Sequence, residues 1–185
     1  MVIVPMFAIS FGSDSMECSV WSSSGEARAG LSADLDIANE YGSGSGPVYV
    51  FSSADGGGRG GRGSAVGIQM DSEFESPTIF GDEWGGARWI GCNSHLYRIM
   101  PGMTVDREID LESRFDSLRF ISRLDRLLVL AEAGLLAVCG NGDIDWRVSL
   151  DVVTDVRWEG ESALISQMDR PDVRVDLRSG SVASP

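Results

Sequence analysis

In the C-terminal half of the chain, apolar and polar positions alternate over short stretches, each closed by turn-forming residues. Leu127–Leu130, Leu135–Val138, Ile144–Leu150, Val152–Trp158, Ala163–Met168 and Val173–Leu177 are rich in aliphatic, β-branched and aromatic residues. Between them stand Glu132-Ala-Gly134, Gly140-Asn-Gly-Asp143, Glu159-Gly-Glu-Ser162, Asp169-Arg-Pro-Asp172 and Arg178-Ser-Gly180. The alternation predicts strands with one buried face. Asn141-Gly142 predicts a hairpin, because both residues tolerate positive φ.

The rhythm recurs along the chain with a period of about forty residues. Leu96–Ile99 and Thr104–Leu111 precede Leu135–Val138 and Ile144–Asp151 by one period. Two periods separate Phe11–Trp21 from Ile90–Met100, and Val48–Phe51 from Leu127–Leu130. The spacing predicts units at about 5–35, 36–75, 76–112, 113–151 and 152–182 within a single domain, each a meander of three or four strands. The fold class expected is therefore all-β, with antiparallel meander repeats in a small or partial β-propeller-like array; a β-sandwich is the alternative. Over 111–128 the pattern differs: Phe115, Leu118, Ile121, Leu124 and Leu128 follow helical spacing, so a helix competes with a strand there. An array that does not close leaves sheet edges, through which two copies could pair as a homodimer.

Two stretches carry a more specific pattern. Gly142-Asp-Ile-Asp-Trp146 ends in Gly-x-x-x-Trp, and Val175-Asp-Leu-Arg-Ser-Gly180 has the form apolar-Asp-x-x-Thr-Gly with serine for threonine. On these motifs residues 113–182 resemble the tryptophan-docking repeats of quinoprotein-type β-propellers. The resemblance implies a propeller-like fold and a structural role for Trp146. It does not imply the quinone, since the acidic and vicinal-cysteine residues that hold it in that family have no matching positions here. No cofactor is expected.

Charge narrows the choice of partners. The 185 residues carry 28 acids against 15 bases, all arginine, for a net charge of −13. Phosphate recognition needs clustered cations, so nucleic acid is not an expected partner and a basic protein is. Tyr41–Gly46 and Asp55–Gly63 hold nine of the 23 glycines and read as loops; no Gly-Lys-Ser/Thr follows them, as a phosphate loop requires. The apolar stretch Met1–Ser10 has no basic leader and reaches Asp14 quickly, which reads as neither signal peptide nor membrane span. Cys18, Cys92 and Cys139 form an odd set without Cys-x-x-Cys spacing, so a reducing, cytoplasmic setting, bacterial in kind, is expected.

Candidate chemistry is sparse. His95 is the sole histidine, which excludes multi-histidine metal sites and leaves one place for a Ser-His-Asp or Cys-His device. Its position at a strand start favours a partly exposed turn histidine, and neither a metal site nor a catalytic residue is assigned. Asp143 and Asp145 lack the spacing of a calcium loop. The segment Asp71–Trp84 stands out, with five acids, no base and three aromatics. Glu73, Phe74, Glu75, Phe80, Asp82, Glu83 and Trp84 are the candidate interface, because aromatics anchor and charge steers at protein interfaces. The function expected is a noncatalytic protein-binding module with an acidic docking surface, in its sharpest form an immunity-like protein that neutralises a basic toxin. The alternatives are a carboxylate-dependent hydrolase and a sugar- or small-ligand-binding propeller.

Overall fold

The computed structural model describes residues 4–11, 14–30, 34–38, 46–53, 64–72 and 76–184. Contacts divide the chain into two compact units, Met1–Asn93 with Tyr97–Arg107, and Ser94–Leu96 with Glu108–Pro185. The fold is all-β and almost wholly antiparallel, in four separate sheets, with no closed barrel among the described residues.

The first sheet takes β1 (Val4–Phe11), β2 (Asp14–Trp21), β3 (Asp34–Ala38), β4 (Val48–Ser53) and β5 (Ser64–Gln69), in the order β1-β2-β4-β5-β3. The pairing of β3 with β5 is parallel, and the connection from β2 to β3 holds a short helix, α1 (Ser24–Gly30). This sheet draws strands from both of the first two repeat intervals. The glycine-rich runs fall largely outside the described residues. Gly46, at the end of one, is packed so closely that an added Cβ would lie 2.3 Å from the Met70 carbonyl oxygen.

The other three sheets are four-stranded meanders in sequence order. They comprise β6 (Thr78–Trp84), β7 (Ala87–Cys92), β8 (His95–Met100) and β9 (Thr104–Asp110); β10 (Phe115–Ile121), β11 (Arg126–Ala131), β12 (Gly134–Val138) and β13 (Ile144–Ser149); and β14 (Val153–Glu159), β15 (Ser162–Gln167), β16 (Val173–Asp176) and β17 (Val182–Ala183). Their first strands start 37 and then 38 residues apart. Backbone hydrogen bonds repeat with the strands. Leu111 N donates to Ser94 O at 2.8 Å, as Leu150 N does to Ala133 O at 2.9 Å; Glu132 N donates to Arg114 O at 2.7 Å, as Met168 N does to Val152 O at 2.9 Å.

One alternative is resolved and two expectations need correction. Residues 111–128 are not helical: they form β10, a single 3-10 turn at Ser122–Leu124 and the start of β11. The first step of the helical spacing has a local cause. Phe115 pairs with Ala131 and Ser117 with Leu130, so Asp116 is an extra residue that places Phe115 and Leu118 on one face. Second, the inner strands β7, β11 and β12 are buried on both faces, not one. Third, the hairpin at Asn141-Gly142 forms through a wider turn in which only Gly142 takes positive φ, at 94°. Gly142 N donates to Cys139 O, and the Asn141 and Asp143 side chains are bonded to each other at 2.7 Å.

Each unit has its own core. In the first, Met16, Cys18, Phe51, Ile68, Ile90, Tyr97 and Ile99 cluster from strands of two sheets. In the second, Leu128, Leu130, Leu135, Ala137 and Val148 of one sheet meet Ala163, Ile165, Val175 and Leu177 of the next, so the two sheets stack face to face. Trp146 packs at the border of this core with its ring against Gly180.

Candidate functional site

The first strands of the two stacked sheets, β10 and β14, are outer strands, and a groove runs between them. Its larger recess encloses about 450 Å³, within the range of ligand sites. Both strands carry a bulge at its rim. Asp116 interrupts the ladder between Phe115 and Ser117, and Thr154 does so between Val153 and Asp155. After each bulge the alternation resumes, which turns Val156 and Trp158 toward the shared core opposite Ile165 and Ala163. Leu130, Val153, Val156 and the half-buried Trp158 therefore make an apolar floor, while Asp116, Glu132 and Asp155 stand exposed around it with Arg114, and Asp155 lies 3.6 Å from Arg157 on its own strand.

Beyond Trp158 the lining changes sign. The guanidinium of Arg119, on β10, lies 5.0 Å from the centre of the Trp158 ring on β14, a cation–π contact that bridges the two sheets. A second recess of about 320 Å³ on that side is lined by Arg119, Arg123, Trp158 and Leu177 among others, with no carboxylate in its wall. Arg123 is held by the Gly160 carbonyl and lies 3.8 Å from Glu161. The groove is thus acidic at one end, basic at the other, and divided by the Arg119–Trp158 bridge.

None of the described residues singled out in the sequence as the candidate interface lines the groove. Glu73, Phe74 and Glu75 lie outside the described residues. Asp82 and Glu83 sit in β6, an outer strand, within an irregular stretch between Phe80, which pairs with Trp89, and Trp84, which pairs with Ala87. Phe80 and Trp84 are half-buried. The Trp84 ring lies 5.7 Å from that of the fully buried Trp89, and Arg98 stacks 5.9 Å over Trp89 while binding Asp106 and the Gly85 carbonyl. These aromatics consolidate their own sheet. The groove was missed because its acids come from three strands or turns that the repeat brings together. The signal that could have found it is the shared spacing of Asp116 and Thr154, each second in its sheet's first strand.

His95 opens β8 and is partly exposed; its Nδ1 lies 3.1 Å from Ser94 Oγ and its Nε2 3.6 Å from Glu108. Cys18 and Cys92 are buried and Cys139 partly so, all as free thiols. Burial pushes the Cys18 thiol up to about 11. The Asp176 carboxyl is held below its ordinary value by hydrogen bonds from the Ser179 hydroxyl and backbone, as befits a carboxylate closing a turn. Among the described residues, no three His, Cys, Asp or Glu are grouped to hold a metal ion, and no helix is long and apolar enough to cross a membrane.

No family model matches the chain, and no curated protein does. Among solved structures, a protein of unknown function from Bacteroides caccae is similar at 15% identity with a TM-score of 0.35, over 80% of this chain. The chain spans 58% of the length of that structure. A likeness at that score bears on neither fold nor function.

Proposed function

We propose that the chain is a noncatalytic protein-binding module that docks a basic partner through its carboxylates, with an immunity-like inhibitor of a basic toxin as the most specific form. The observation that carries this reading is the groove's acidic end, where three exposed carboxylates, one of them beside Arg157, and Arg114 stand around an apolar floor. That combination suits a macromolecular contact, in which an apolar centre supplies affinity and the charged rim supplies steering and selectivity. The net charge of −13 extends the attraction over the whole chain. The acid-rich segment with Glu73, Phe74, Glu75, Phe80, Asp82, Glu83 and Trp84 is the second proposed contact. The repeated four-stranded meanders, the last two of them stacked through one core, support a propeller-like reading of the array.

The test is capture on the immobilised full chain from cells of its source, followed by titration of the purified partner. A stoichiometric basic protein is expected, released as salt rises. Changing Glu73, Glu75, Asp82 and Glu83 together to arginine should weaken it by about tenfold or more. Partner affinity indifferent both to salt and to that fourfold reversal would sink the reading.

A further inference from the structure

We propose that the acidic recess between β10 and β14 receives an extended segment of a partner protein that bears arginine or lysine beside apolar residues. The inference rests on the binding reading above and says where the contact is made and with what chemistry. Cationic side chains would lie among Asp116, Glu132 and Asp155, and apolar ones on Val153, Val156 and Trp158.

Geometry and charge select this occupant over others. Against Arg114, the lining holds three exposed carboxylates around an apolar floor, one of them, Asp155, lying 3.6 Å from Arg157 at its outer side, so the carboxylates outnumber the arginines beside them. An anionic ligand would be repelled. A second copy of this chain brings a net charge of −13, so a homodimer through these edges is opposed by charge. The bulges at Asp116 and Thr154 oppose it again, since they break the ladder onto which a further strand would pair. Recognition therefore falls to side chains, not to continuous strand addition. The basic lining beyond Trp158 sets the limit of the site: Arg119 and Arg123 confine a cationic segment to the Asp116 side.

The experiment uses the full chain and a defined probe, an acetylated, amidated and fluorescein-labelled peptide of alternating arginine and leucine, read by anisotropy at low salt. A glutamate–leucine peptide is the charge control. Saturable binding of the arginine peptide is expected, with amide shift changes confined to β10, β14 and the Glu132 turn. Neutralising the recess by Asp116→Asn, Glu132→Gln and Asp155→Asn should weaken it about tenfold or more, whereas Glu17→Gln, Glu108→Gln and Asp169→Asn, equal in charge and outside the recess, should change it less than about twofold. Thr154→Arg, on the exposed bulge, is the independent variant and should weaken binding to a similar degree. Equal losses from the two neutralised triples, or equal binding of the glutamate peptide, overturns the inference in favour of diffuse charge attraction. If the natural partner is lost on reversing Glu73, Glu75, Asp82 and Glu83 but ignores the recess variants, the recess is wrong and the binding reading stands. If the recess binds the peptide as expected while the chain captures no basic partner, the binding reading fails and the recess survives it.

Discussion

At Gly180 the missing side chain makes room for a ring. A Cβ there would stand 2.8 Å from Trp146 Cδ2, and φ is +70°, so alanine meets both a clash and a strained backbone. Gly180→Ala is expected to cost about 2–4 kcal/mol, read from urea denaturation, since overpacking and a left-handed non-glycine each cost of order 1–3 kcal/mol. Adding Trp146→Leu should recover part of that loss, because the two changes share one contact. A Gly180→Ala protein that unfolds like the wild type would show that the ring does not rest there. Cys18 makes a different prediction. Its thiol ionises at about 11 in the folded chain against 9.0 for an unperturbed one. Folding therefore favours the protonated form: the contribution is fully present below pH 9 and is lost as pH rises toward 11. Stability measured across that window should fall more steeply for the wild type than for Cys18→Ala. Iodoacetamide should modify Cys139 in the native protein before Cys18 or Cys92, which are buried.

Among elements, the inner strands hold the sheets together and the outer strands form the groove. β7 and β12 are buried throughout and β11 from Leu127 onward, while β10, β14 and β17 lie at sheet edges. Amide hydrogen exchange should accordingly be slowest in the former and fastest in β17 and the outward-facing amides of β10 and β14. Most strands from Leu96 onward were legible in the sequence, because aliphatic runs such as Leu127–Leu130 and Leu135–Val138 are closed by turn residues at both ends. What misled was a bulge. One extra residue at Asp116 converts the two-residue step of a strand into the three-residue step from Phe115 to Leu118, which on paper is a helix. The parallel β3–β5 pair was equally hidden, since its partners are separated by β4 and no local pattern announces parallel pairing. The groove was illegible for the same reason. Asp116 and Glu132 are brought together by the pairing of β10 with β11, and only the stacking of two sheets adds Asp155, from the far side, to them.

For the whole molecule, charge is the dominant surface property. With a pI of about 4.3 and no lysine, the protein should be least soluble near that pH and freely soluble at neutrality, as a turbidity titration would show. Association with a basic partner should slow as ionic strength rises, with the on-rate changing more than the off-rate, which stopped-flow mixing can separate. The bridge between Arg119 and Trp158 adds a practical consequence. An indole's emission responds to the charges beside it, and this one sits where the acidic recess ends. Occupation of that recess should thus announce itself as a shift in native tryptophan fluorescence, absent when Trp158 is phenylalanine, so that the molecule carries its own optical indicator of being filled.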